Sequence, residues 1–119
     1  MISFSIRTES TGGRLLFALS GELDLATAPE VERTLHGELD WEQVTLVVID
    51  LRELVFLDSS GLRALFLVDD AARDHGARAV FVRGSQAVQR IFEVTALDER
   101  LEMVDDPEIL STDEPQPRP

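Results

Sequence analysis

Hydrophobic and polar positions alternate with a two-residue period at the start of the chain. In "ISFSIRT", Ile2, Phe4 and Ile6 are interleaved with Ser3, Ser5 and Arg7, the pattern of a strand with one buried face. "RLLFALSG" follows after "ESTGG", where Gly12 and Gly13 can take the positive φ of a tight turn, so the first two strands are expected to form an antiparallel hairpin. The period then lengthens. Ala28, Val31, Leu35 and Leu39 lay one apolar stripe along a helix within "TAPEVERTLHGEL". Thr27 and Glu30 have the spacing of a capping box at its start. Pro29 falls in the first turn, where a missing N–H is tolerated.

"VTLVVIDL", residues 44–51, is almost continuously aliphatic, as expected of a central strand covered by helices on two sides or by a helix and a loop. Helical spacing returns over residues 62–73 with Leu62, Leu65, Phe66, Val68 and Ala72, and Gly76 offers the stop. Asp69 stands four residues before Arg73, a favourable pair on such a helix. "ARAVFVRG" reads as a short strand. "SQAVQRIFEVTAL" reads as a third helix, capped by Ser85, with Val88, Ile91 and Phe92 on one face, and "RLEMV" as a last strand. Strands alternating with helices after an opening hairpin predict an α/β single domain, with a mixed, mostly parallel sheet and helices packed beside it. That domain is expected over residues 1–104. Residues 105–119, "DDPEILSTDEPQPRP", read as an acidic, proline-rich, flexible tail with one short helical turn at "PEIL".

Charge and composition narrow the function. A formal net charge of -12 repels phosphate backbones and anionic lipid, so neither nucleic acid nor a membrane surface is expected as a partner. All eleven basic residues are arginine, which removes Schiff-base lysines and the phosphate-binding lysine of a P-loop. No cysteine is present, so disulfides, thiolate nucleophiles and cysteine metal sites are excluded. His36 and His75 lie too far apart in sequence to make a usual zinc set, and neither metal nor cofactor is expected. The adjacent aspartates at 69–70 and 105–106 read as solvated charge. No apolar run reaches the roughly 20 residues of a membrane span, and the first ten residues do not resemble an export signal, so a soluble cytoplasmic protein is expected.

Within "VVIDLRELVFLDSSGLRALFLVDDAARDHG", residues 47–76, Asp58, Ser59, Ser60 and Gly61 interrupt the apolar run where a helix should begin. An anion there is stabilised by roughly 0.3–1 kcal/mol, so a phosphate on Ser59 suits the helix start, while Asp58 beside it brings like-charge repulsion. On this motif alone a purely structural role is the favoured reading: Asp58, Ser59 or Ser60 caps the helix, and Gly61 permits a close turn. A small serine hydrolase is disfavoured, because "LDSSG" lacks the first glycine of G-x-S-x-G and His75 falls at the far end of the same helix. Asp50, ending "VVID", stands where a receiver domain carries its phosphoacceptor, but no lysine completes that chemistry. A strand-end aspartate bonded to turn amides is the plainer reading.

Three segments, "GELDLATAPEV", "VVIDLRELVFLDSSGLRAL" and "SQAVQRIFEVTAL", resemble the anti-sigma factor antagonists of the STAS domain family, in order and as far as residue 104. The resemblance implies a mixed sheet with helices beside it and a further C-terminal helix, for which "PEIL" could supply only a stub. It implies that the unphosphorylated protein binds an anti-sigma factor that is also a serine kinase, freeing the sigma factor. Phosphorylation of Ser59, the first serine of D-S-S-G, would end that binding, and a serine phosphatase acting on phosphorylated Ser59 would restore it. On this resemblance Asp58, Ser60 and Gly61 shape the loop the kinase reads. Asp24 matches a family position near that loop, with capping of the following helix or holding the turn after the second strand as its alternative. Arg63 departs from the small residue common at its position and could touch a partner. Exposed Leu67 and Asp70 are further interface candidates, whereas Leu62, Leu65 and Phe66 belong to the core. Two other roles stay open: a STAS scaffold or transport-system subunit in which Ser59 is never phosphorylated.

Overall fold

The computed structural model describes residues 3–37 and 39–106. β1 (Ser5–Thr11) and β2 (Arg14–Leu23) form the expected antiparallel hairpin, closed by Gly12 and Gly13 at φ of 55° and 86°. Phe4 and Ile6 pack partly buried against the core, as their alternation predicts; Ile2 lies outside the described residues.

α1 (Ala28–Leu35) buries Ala28, Val31 and Leu35. It is shorter than its apolar stripe suggests. The His36 N–H closes onto Glu32 and the Gly37 N–H onto Thr34, and a glycine there has little to gain from prolonging the helix. Leu39 joins the core from beyond the helix end.

β3 (Leu46–Leu57) also departs from expectation, running to Leu57 where the continuous aliphatic pattern ends at residue 51. Its register with β2 slips twice, between Ala18 and Ser20 and between Gly21 and Glu22, each time with one extra residue on β3. Such bulges break the two-residue period. Leu51, Leu54 and Leu57 therefore all reach the core although they are three apart. Asp50, expected at a strand end, is mid-strand instead, and its carboxylate accepts from the Arg52 backbone and guanidinium rather than from turn amides.

α2 (Ser59–Asp74) ends at Gly76, whose φ is 77°. β4 (Arg78–Val82), α3 (Gln86–Val94) and β5 (Met103–Val104) complete the order. Ser85 caps α3 through the Val88 N–H, and Val88 and Phe92 are buried. The sheet runs β1-β2-β3-β4-β5, antiparallel at the first pair and parallel thereafter.

All three helices put their buried residues into one cluster with Phe17, Ile49 and Phe81. On the opposite face Val48, Val80 and Val82 are packed by Leu16, Leu46 and Val104, all from strands, so the described helices cover β3 on one side rather than two. Asp69 corrects another expectation. It is buried at 4% exposure on α2, with Arg73 at 3.1 Å, and burial pushes its carboxyl above the usual aspartate value against the pull of Arg73. Asp105 is exposed and bonds Arg83 at 2.8 Å. The helical turn expected at "PEIL" lies outside the described residues, as does the tail beyond Asp106.

Candidate functional site

β2 and β3 lie side by side up to the row Leu23 and Leu57, then leave the sheet together. β2 turns through Asp24, Leu25 and Ala26 into α1, and β3 passes through Asp58 into α2. Parallel strands thus bring two helix-entry loops to one end of the sheet, where open α/β folds commonly place their sites.

Asp58 holds this arrangement. Its Oδ1 accepts from the Gly61 N–H at 2.9 Å, which is the N-cap bond of α2, and its Oδ2 accepts from the Leu25 N–H at 3.3 Å. Asp24 organises the other loop: its Oδ1 accepts from the N–H of Ala26 at 3.0 Å and the N–H of Thr27 at 3.1 Å. The capping box expected from Thr27 and Glu30 does not form, because the Thr27 hydroxyl donates to the Glu22 carbonyl and accepts from the Asp24 N–H. Asp24 therefore holds the turn and also lies beside the Asp58 loop.

Ser59 is exposed and Ser60 half-buried, and among the described residues neither hydroxyl makes a hydrogen bond. Ser60 does not support the helix start; the carboxylate of Asp58 does so alone. Gly61 is buried for a steric reason. A Cβ on it would come within 2.5 Å of the Leu23 carbonyl oxygen and 2.8 Å of Leu57 Cδ1, so only glycine lets α2 sit this close to the strand ends. Arg63 is exposed in the first turn of α2 and makes no ion pair among the described residues. Asp70 is exposed and Leu67 half-buried further along the same helix. Asp24, Asp58, Ser59, Ser60, Gly61 and Arg63 are thus gathered at one end of the molecule.

The structure does not bring His75 to Ser59. His75 stacks on Trp41 at the other end of α2, which at about 1.5 Å per residue is roughly 24 Å away. Among the described residues no group of three or more His, Asp or Glu could hold a metal ion, and no helix is long and apolar enough to cross a membrane.

Sequence reasoning missed three residues here. Leu25, Val55 and Phe56 are exposed by 74%, 48% and 47% around the same loops. The sequence does signal that this strand is irregular, since Arg52 and Glu53 are adjacent charges at the first of its two bulges, but that signal does not reach Leu25, Val55 or Phe56.

A STAS domain family model matches residues 5–108. An anti-sigma-B factor antagonist of Listeria monocytogenes is 31% identical over 102 residues, covering 86% of this chain and 88% of that one. The crystal structure of an anti-sigma factor antagonist from Mycobacterium paratuberculosis superposes with a TM-score of 0.73 at 26% identity, covering 90% of each chain. The Bacillus protein SpoIIAA in its phosphorylated form shares the fold at a TM-score of 0.67 and 18% identity, covering 94% of this chain and all of that one. The chain belongs to the STAS domain family, and its named relatives are anti-sigma factor antagonists.

Proposed function

We propose that this chain is a cytoplasmic anti-sigma factor antagonist that works by partner switching. Unphosphorylated, it binds an anti-sigma factor that is also a serine kinase and so frees a sigma factor. That kinase phosphorylates Ser59, the complex dissociates, and a serine phosphatase resets the site. Ser59 is a substrate in this reading, and the chain itself has no catalytic role. Residues 1–104 act as the binding domain, with 105–119 as a tail outside it.

The observation that carries this reading is the division of labour at the start of α2. Asp58 takes the cap, so the exposed Ser59 hydroxyl has no structural duty and is accessible to a kinase. Asp24 and Arg63 flank it as partner-facing residues. Relatives named as anti-sigma factor antagonists support the choice of partner, and SpoIIAA offers a protein of this fold that exists phosphorylated.

The test is co-purification from the native host, followed by addition of ATP and mapping of the phosphate by mass spectrometry. An anti-sigma factor kinase in the complex and phosphate on Ser59, absent from Ser59→Ala, are expected. A complex holding no anti-sigma factor, or phosphate on another residue, would contradict it.

A further inference from the structure

Four large apolar side chains are exposed among the described residues, and three of them stand at the Ser59 end of the sheet: Leu25, Val55 and Phe56. The fourth, Val94, lies on α3 and is 72% exposed. Phe56 is in register with Glu22, and Leu57 with Leu23. Leu25 is two residues past Leu23 with its N–H on Asp58, and Ser59 is two residues past Leu57.

The exposure of Val55 and Phe56 is built by the backbone. In a regular strand one of two consecutive residues faces the core. The second bulge of β3 adds Val55 between the rows of Leu54 and Phe56, so both side chains point away from the core while Leu54 and Leu57 stay buried. A bulge that re-aims side chains beside a site, and the apolar surface it creates, are marks of an interaction face.

We propose that Leu25, Val55 and Phe56 are the apolar anchor for the anti-sigma factor, and that a phosphate on Ser59 expels that partner by holding water in a contact these side chains must dry. This rests on the partner-switching reading above. The occupant that fits is an apolar patch bordered by arginine or lysine. Glu22, opposite Phe56, and Glu53, two residues before Val55, are both exposed, and the chain carries a net charge of -12. Long-range attraction then speeds encounter, and the apolar centre holds the complex. A phosphate at the rim of a dried contact keeps its hydration only if the contact opens. Charge repulsion fades when salt shortens the Debye length from about 10 Å at 0.1 M to about 3 Å at 1 M, and a desolvation penalty does not.

The test titrates the purified anti-sigma factor kinase, identified by the co-purification above, with wild type, Leu25→Ser, Phe56→Ser and Val94→Ser, each shown to be folded by its thermal transition. The proposal predicts that Leu25→Ser and Phe56→Ser each weaken binding by about 10-fold to 30-fold. Val94→Ser stays within about twofold, by the same hot-spot logic for a side chain outside the contact. The ratio of affinities with and without phosphate on Ser59 is expected to hold between low and high salt. If wild type binds and both variants bind as tightly, the anchor is overturned and the partner-switching reading stands. If wild type binds no anti-sigma factor, that reading falls and this proposal with it. Variants that alter only self-association, seen by sedimentation, would assign the patch to a second copy and overturn the proposal. A phosphate effect that collapses at high salt would overturn the desolvation mechanism.

Discussion

The Leu25 N–H donates to Asp58 Oδ2 at 3.3 Å, joining two residues 33 positions apart in sequence. The same carboxylate caps α2 through the Gly61 N–H, so one side chain fixes both the helix that presents Ser59 and the loop that presents Leu25. The aspartate holds the structure, and the exposed Ser59 hydroxyl is left outside it.

Asp58→Ala should therefore remove two bonds at once. The expected loss is about 1–2 kcal/mol, the upper part of the roughly 0.5–2 kcal/mol range for an N-cap replaced by alanine. Asp58→Asn, whose one acceptor oxygen can keep the cap bond while its NH2 cannot accept from the Leu25 N–H, should recover only the cap part of it. Urea denaturation midpoints measure both, and equal stability of Asp58→Ala and wild type would show that the cap bond has no net value.

Ser60→Ala tests the same division from the other side. Its hydroxyl has no partner among the described residues, so stability should stay within about 0.5 kcal/mol of wild type, as for substitutions away from structural features. A larger loss in the same denaturation series would mean that Ser60 does support the helix start.

Gly61→Ala places a methyl group against the Leu23 carbonyl and Leu57, where backbone must move to admit it. Overpacking of this kind costs about 1–3 kcal/mol, and Leu23 and Leu57 end the two strands that carry the site, so partner affinity should fall as well. Calorimetry and a binding titration read the two effects. A variant as stable as wild type would show that the strand ends yield freely.

Asp69 gives a pH signature. Burial holds its carboxyl above the ordinary 3.8, outweighing Arg73 and Arg100. The folded state then binds that proton more readily than the unfolded state, so the contribution is fullest below the ordinary value and is lost as pH rises through the raised one. Asp69→Asn lacks this loss. The stability difference, variant minus wild type, should grow as pH rises from below the ordinary aspartate value to neutrality. A difference that is flat with pH would contradict the assignment. Asp50 has the opposite sign: burial raises its carboxyl, but the bonds and charge of Arg52 more than offset this and hold it low, so its contribution is lost as pH falls.

Much of the fold was legible because most elements keep one period. The alternation of Phe4 and Ile6, the stripe through Val31 and Leu35, and the glycines at 12, 13 and 76 each name an element and an end. The outer half of β3 was not legible, since two bulges erase the alternation from Leu51 to Leu57, and the second of them exposes Val55 and Phe56. Local pattern also chose the wrong partner for Thr27. Its spacing to Glu30 suggests a capping box, but the tight turn after β2 brings the Glu22 carbonyl and the Asp24 N–H to the hydroxyl first. Asp69 reads as surface charge because its burial depends on packing that sequence spacing does not show. The D-S-S-G stretch was legible as a helix start from the apolar pattern on either side of it, and the choice of Asp58 as the cap needed coordinates.

The central claim is that phosphate on Ser59 decides whether this chain holds its partner. The direct measurement is the affinity of the purified anti-sigma factor for the unphosphorylated chain and for the chain carrying phosphate on Ser59, by calorimetric titration at fixed salt. At least about 100-fold weaker binding of the phosphorylated form, near 2.7 kcal/mol, is predicted. Affinities within twofold of one another would show that Ser59 does not control the complex.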